Sequence, residues 1–210
     1  MPRSKKITLT LYTATNNICA SQTTAGAGNL LLNGSSAETV PAIAATRVLL
    51  STGHKLNLAS TGNLSTTTFL IKGFDQNSNA LSESIAGPNN NTVTTTGYFQ
   101  TITSIHVSAA VGTNVTVGSS TYAISQTCPM NRYSKANPSA TITVSGTINY
   151  NADHALGNAQ LDTLEWFTDV SAATSSVDMS EHLPRVLGAF RVVINSFANG
   201  ATCIIDIGDR

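Results

Sequence analysis

The sequence predicts an all-β chain: two small β-sandwich units of jelly-roll or immunoglobulin-like type, joined by an irregular linker. Three features lead there. Charged residues are 10% of the chain, against about a quarter in an ordinary globular protein, and Thr and Ser together make up about a quarter. Thr suits a pleated, half-buried surface, and Asn and Ser suit turns. Apolar and polar residues alternate in one segment after another, the period of a strand with one buried face. No stretch sustains an amphipathic helical period over about eleven residues.

The elements follow in order. Ile7, Leu9 and Leu11 alternate with Thr8, Thr10 and Tyr12 and predict the first strand. SQTTAGAGNLLLNGSS reads as a loop, with Leu30-Leu31-Leu32 as a short strand between turns. ATRVLLST (45–52) and HKLNLAST (54–61) read as two strands broken at Gly53. TTTFLIKGFDQNSNALSESIAG predicts a hairpin, its tip Asp75-Gln76-Asn77-Ser78-Asn79 being all turn residues. Phe99, Thr101, Thr103, Ile105 and Val107, then Val115 and Val117, predict a second hairpin broken at Gly112. TYAISQTCPMNRYSKANPSA holds Pro129, Arg132, Lys135 and Pro138 and reads as irregular.

Beyond it the alternation resumes at Ile142, Val144, Ile148 and Tyr150. Residues 151–163 read as a loop, LEWFTDV as a strand with the single Trp166, and SAATSSVDMSEHLP as a second long loop. FRVVINSFANGATCIIDIG predicts a closing hairpin on Asn199-Gly200. It echoes the layout of IHVSAAVGTNVTVG. The expected boundaries are 1–122 for an N-terminal unit with a short basic arm, 123–139 for the linker and 140–210 for the C-terminal unit.

Formal net charge is zero and the pI is near 6.9, so no long-range field draws the chain to nucleic acid or an anionic membrane. Hydrophobic residues at 41% and a mean hydropathy of +0.05 suffice for a packed core. A neutral, charge-poor surface has little colloidal protection and favours a protein that covers itself in an assembly. Cys19, Cys128 and Cys203 are widely spaced and odd in number, which favours buried small hydrophobes or free thiols over a metal site. The basic start MPRSKKITLTLYT leads into alternation rather than an apolar run, so neither a signal peptide nor a membrane span is expected there, and synthesis in a reducing cytoplasm is.

The search for chemistry yields little. His54, His106, His154 and His182 show no metal-ligand spacing and are expected at solvent or interface positions. His154 and His182 lie near Asp153, Asp162, Asp178 and Glu181, the best case for a weak metal site. No nucleophile elbow, P-loop or dinucleotide fingerprint occurs. Glu83 is the best lone carboxylate, more simply read as a solvated strand residue or a partner for Lys72 across its hairpin. No catalytic, cofactor or metal residue is therefore assigned, and no enzyme is expected. Candidate partner contacts are Arg3, Lys5 and Lys6 of the basic arm, and Tyr98 and Trp166 as exposed aromatics.

One resemblance extends this. Asp75-x-Asn77-x-x-x-Leu81-Ser82-Glu83-x-Ile85-x-Gly87-Pro88, then Thr92-Val93 and Tyr98-Phe99-x-x-Ile102-x-x-Ile105-x-Val107, resembles a segment common in virion proteins of tailed bacteriophages. So does ASQTTAGAGNLLLNG. Ile148-Asn149-Tyr150, Trp166-Phe167 and Arg191-Val192-Val193-Ile194 are similar to a phage pattern of a Trp strand followed by an Arg-Leu-x-Val hairpin. Together these span most of the chain. The resemblance implies a capsid decoration or cement protein: synthesised in the bacterial host, carried on the capsid surface, bound to the major capsid protein, and assembled as a homo-oligomer with a trimer favoured. With the neutral charge and the absence of a cofactor motif, no cofactor, nucleic acid or membrane partner is expected. A tail or neck adaptor, or a fibre-type receptor- or carbohydrate-binding protein, is the alternative.

Overall fold

Ile7, Leu9 and Leu11, the alternation that opens the sequence, face a core completed by the last strand of the chain. The structure is a computed structural model and describes residues 5–40, 45–129, 138–156, 164–168, 178–182 and 187–209. Its strands are β1 (Lys5–Thr10), β2 (Ala14–Thr24), β3 (Gly28–Asn29), β4 (Ala37–Val40), β5 (Ala45–Ser60), β6 (Thr68–Phe74), β7 (Ala80–Ala86), β8 (Thr92–Thr94) and β9 (Phe99–Val107). They continue with β10 (Val111–Ile124), β11 (Cys128–Pro129), β12 (Pro138–Ser145), β13 (Ile148–Leu156), β14 (Glu165–Thr168), β15 (Met179–His182), β16 (Leu187–Phe197) and β17 (Thr202–Asp209). The described residues are all-β with large antiparallel sheets, as the composition and alternation predict.

Contacts group the chain into two units, Thr13–Thr121 and a split unit made of Met1–Tyr12 with Tyr122–Arg210. These bounds differ from the expected ones. Residues before Thr13 join the C-terminal part because β1 pairs along its whole length with β17, from Lys5 opposite Ile207 to Thr10 opposite Thr202. The expected linker is also not a free connection. Ala123 and Ile124 pair with Ile194 and Val193, and Cys128 pairs with Phe190. Arg132 and Lys135 lie outside the described residues.

The split unit is a sandwich. One sheet runs β1-β17-β12-β15; the other holds β14-β13-β16, with the end of β10 and β11 added to β16. Ile142, Cys203 and Ile205 from the first sheet meet Tyr150, Val192 and Ile194 from the second in one buried cluster. Interdigitation of two alternating faces is what a sandwich core requires.

The expected closing hairpin is absent. β16 and β17 lie in different sheets, so the Asn199-Gly200 turn carries the chain from one layer to the other. The turn between β12 and β13 does the same, and Ala198 N–H donates to the Thr147 carbonyl at 2.9 Å, tying the two turns together. Gly146 and Gly200 have φ of +85° and +81°, the left-handed region that glycine enters without steric cost. A turn signal marks a reversal of the chain; it does not say whether the second strand pairs with the first or packs over it.

The inserted unit, Thr13–Thr121, repeats that lesson. β9 and β10 also do not pair; β5 stands between them in the sheet order β10-β5-β9-β6-β7. Gly53 does not end a strand. β5 runs unbroken for 16 residues, with a register shift between Leu49 and His54, so the glycine sits in a bulge rather than a turn. β5 pairs with β4 from Ala45 to Val48, with β9 from Val48 to His54 and with β8 from Asn57 to Ala59. It thereby sends Leu50, Leu56 and Leu58 into one core with Phe69, Ile71 and Phe99.

The expected loop SQTTAGAG is largely strand. β2 reaches Thr24, and Ile18 and Cys19 are fully buried. The Leu30–Leu32 run is not a strand: Leu30 is buried while Leu31 is 67% exposed. Residues 151–156, expected in a loop, continue β13, and residues 179–182 form β15. The β6–β7 hairpin does match, in register from Thr68 opposite Ala86 to Phe74 opposite Ala80. At its tip the Asp75 carboxylate accepts the N–H groups of Asn77 and Asn79, both at 2.8 Å, an arrangement that Asp at a turn start supplies.

Candidate binding surfaces

Asn149, Asn151 and Asp153 recur at every second residue of β13, so they share a face turned away from the sandwich core. On the neighbouring β16, Arg191 is directly opposite Asp153. Arg191 Nε and Nη2 both lie 3.1 Å from one Asp153 oxygen, and Thr168 Oγ1 donates to the other at 3.0 Å. Asp153 is buried, and its bonds to the Arg191 guanidinium are of the charge-assisted kind. Asn195 Nδ2 donates to Asn149 Oδ1 and Asn151 Oδ1 at 3.0 and 3.1 Å. The guanidinium of Arg191 lies 3.9 Å from the centre of the Trp166 ring, within cation–π range. Trp166 itself is half-buried. Next to it on β14, Phe167 is exposed and stacks with the half-buried His154, ring centres 5.9 Å apart.

This places Trp166 against the Arg191–Asp153 ion pair, at one end of a polar row that Asn151, Asn149 and Asn195 continue along β13 and β16. The sequence pointed to Trp166 alone. The i, i+2, i+4 spacing of Asn149, Asn151 and Asp153 was the available signal for a shared polar face. The partners Arg191 and Asn195 lie about forty residues away along the chain and become visible only through the register.

The inserted unit carries two further surfaces. Tyr98 is half-buried with Lys55 Nζ 5.3 Å from its ring centre. An open cleft of about 450 Å³ is lined by Ser21, Ser60, Asn90, Asn91, Asn114 and Thr116, a neutral set of hydroxyls and amides. On the outward face of the β5-β9-β6-β7 sheet, Leu49, Thr101, Phe74 and Ala80 form one row of cross-strand neighbours. Leu49 is 46% exposed and Phe74 is 41% exposed, so the row presents two large apolar groups on either side of a threonine.

The other expectations divide. Lys5 and Lys6 are exposed, but they belong to a paired strand and not to a free arm; Arg3 lies outside the described residues. Glu83 makes no pair with Lys72, which stands opposite Ser82. Its two oxygens instead accept the N–H groups of Thr96 and Gly97, each at 2.8 Å.

His106 lies on the exposed face of β9, as expected. His54 does not: it is buried, with Nδ1 3.1 Å from the Ser120 carbonyl, and burial pushes its pKa down to about 4. No side-chain position is described for His182, and Asp162 lies outside the described residues. Among the described residues no group of three His, Cys, Asp or Glu side chains is placed to hold a metal ion. All three cysteines are free and buried, and burial raises Cys19 and Cys203 to about 12, which makes them inert packing groups. Among the described residues no helix is long and apolar enough to cross a membrane.

No protein-family model matches this chain. No curated protein matches it either.

Proposed function

We propose that this protein is a structural component of a bacteriophage virion, binding the outside of the capsid and cementing neighbouring capsomers of the major capsid protein. What supports the reading is the outward face of β5, β9, β6 and β7. It is a pleated sheet face in which Thr, Ser and Ala predominate, Lys72 and His106 are its polar exceptions, and Leu49 and Phe74 stand exposed. A charge-poor surface with a few large apolar anchors is the composition of the centre of a protein interface. Its strands β7 and β9 also lie in Asp75–Val107, one of the segments that resemble phage virion proteins. The work of such a protein is binding energy, so it needs no catalytic residue; a homo-oligomer, as a trimer at threefold positions of the shell, suits the role.

Particles purified with and without the protein test this. Those carrying it withstand higher temperature or pressure, and Leu49→Asp with Phe74→Asp releases it from the shell. Equal particle stability with and without the protein removes the cement role. Particle symmetry separates the nearest variant, because six- or twelvefold placement marks a tail or neck adaptor.

A second reading has its own observation. One face of β13, β14 and β16 carries Trp166 on the Arg191–Asp153 pair and, further along the strands, the bonded amides of Asn149, Asn151 and Asn195, an aromatic ring and fixed polar groups that suit sugar hydroxyls. A fibre-type receptor-binding protein would bind glycans on an array and lose them with Trp166→Ala. A silent array sets that reading aside.

A further inference from the structure

β7 ends its sheet: among the described residues it pairs with β6 on one side and with no strand on the other. Proteins guard such edges with lysine, proline, a bulge or a short strand, because an open ladder recruits further strands. β1, an edge of the split unit's four-stranded sheet, carries Lys5 and Lys6. β7 carries no lysine, arginine or proline, and its register against β6 runs without a bulge over seven residues. Its outward residues are Ala80, Ser82, Ser84 and Ala86, all exposed. Its inward residues Leu81, Glu83 and Ile85 are half-buried; Glu83 is the strand's one charge, Gly97 lies beside Leu81 and Glu83, and Leu81 and Ile85 pack against the core while keeping part of their apolar surface at the rim.

The sequence of the strand says which strand fits. ALSESIA is nearly the same read in either direction about Glu83. Two copies placed antiparallel around a twofold axis through Glu83 put Leu81 opposite Ile85, Ser82 opposite Ser84 and Ala80 opposite Ala86. Apolar meets apolar on the inner face, hydroxyl meets hydroxyl on the outer face, and small meets small at the ends. A shift of two residues sets Glu83 opposite Ile85 or Leu81 and loses that match. Glu83 on the axis faces its own copy, a like-charge contact. Each of its carboxylates is already held by the two N–H groups of Thr96 and Gly97 in its own chain, which offsets much of that field.

We infer that β7 is a self-association edge: a second copy of this chain adds to it as an antiparallel strand, in the register that centres on Glu83. The contact is isologous, so it closes on itself as a dimer and cannot close a threefold ring. In a trimeric assembly it joins one ring to the next. Its small extent makes it a weak contact. The inference rests on the strand and not on the virion reading, and the two fail separately.

The test is the full chain with single cysteines. Directly opposed residues in an antiparallel pair have Cα atoms about 4.5–5.5 Å apart, within disulfide range. Ser82→Cys copies mixed with Ser84→Cys copies therefore cross-link on mild oxidation. Either variant alone cross-links at least about fivefold less, because residue 82 of one copy then faces 82 of the other only diagonally. The native cysteines are buried and stay silent.

In parallel, sedimentation of the unlinked protein follows association with and without Ser82→Lys and Ser84→Lys. These are exposed positions whose substitution leaves the fold intact, and the pair weakens association at least about tenfold. Thr8→Lys on the exposed face of β1 leaves it unchanged. A monomer at every concentration, equal cross-linking in all three mixtures, or equal weakening by Thr8→Lys overturns the proposal.

Discussion

The side chain of Asn17 pairs with both the backbone N–H and the hydroxyl of Ser119. Its Oδ1 accepts the Ser119 N–H at 2.8 Å and its Nδ2 donates to Ser119 Oγ at 3.0 Å. Both residues are buried, and 102 positions separate them in the chain. Here β2 and β10 approach with an irregular register. Gly118 sits beside this pair, where a Cβ would overlap the Ala14 carbonyl oxygen. The amide therefore does the joining that a regular ladder does elsewhere.

Replacing Asn17 by leucine leaves the Ser119 N–H without that acceptor. A loss of about 1–3 kcal/mol is expected from a buried donor stripped of its partner. Urea unfolding of the two proteins measures it, and a cost near zero would show that water or another group takes over.

His54 makes stability depend on pH. The folded state holds it neutral down to about pH 4, while the unfolded chain takes the proton at its ordinary value near 6.5. Between those values the unfolded state binds more protons, so stability falls as pH drops from 6.5 to 4, and this group adds no further change below 4. The full loss is on the order of 3 kcal/mol. Denaturant titrations from pH 7 to pH 4 should show a smaller acid loss in His54→Gln than in the parent; parallel curves would contradict the assignment.

The two layer-crossing turns differ in a way that ranks two substitutions. Alanine at Gly200 meets no atom within 4 Å and carries the backbone strain alone, about 1–2 kcal/mol. Alanine at Gly146 carries the same strain and also meets the Ala201 Cβ at 3.1 Å. Gly146→Ala should therefore melt at the lower temperature, and the reverse order would show that the strain is relieved at one turn.

The split unit makes a prediction about fragments. Residues 13–121 hold a core of their own, from Ile18 to Val117, and should fold when expressed alone, giving dispersed amide resonances. Residues 122–210 lack β1 and the residues that follow it, and so lose Leu9 and Leu11 from their core. They should remain poorly folded until a peptide of residues 1–12 is added. Folding of 122–210 without the peptide would show that β1 is dispensable.

Strands and turns were legible because each is written locally. Alternation at Phe69-Ile71 and at Leu81-Glu83-Ile85 gave the β6–β7 hairpin, and the turn residues Asp75, Asn77, Ser78 and Asn79 at its tip gave the reversal. Pairing was not legible where it depends on distant segments. Asn199-Gly200 looks the same in sequence whether β17 lies beside β16 or across from it; what decides is that β17 fills the space between β1 and β12. Thr and Asn in β2 masked a strand as a loop, since those residues serve both states. Trp166 was visible as a rare residue, but its partner Arg191 comes from a strand that sequence alone does not place beside it.

Because β1 finds its ladder only in β17, the ribosome releases the first strand long before its mate exists. Closing that contact spans nearly the whole chain, a slow step set by loop-closure entropy. Residues 13–121 can reach their own minimum in the interval, leaving a basic, apolar-faced strand waiting at the front of a partly folded chain. The order of synthesis thus makes the split unit the last to form and its first strand the most exposed to capture by another copy before the chain is complete.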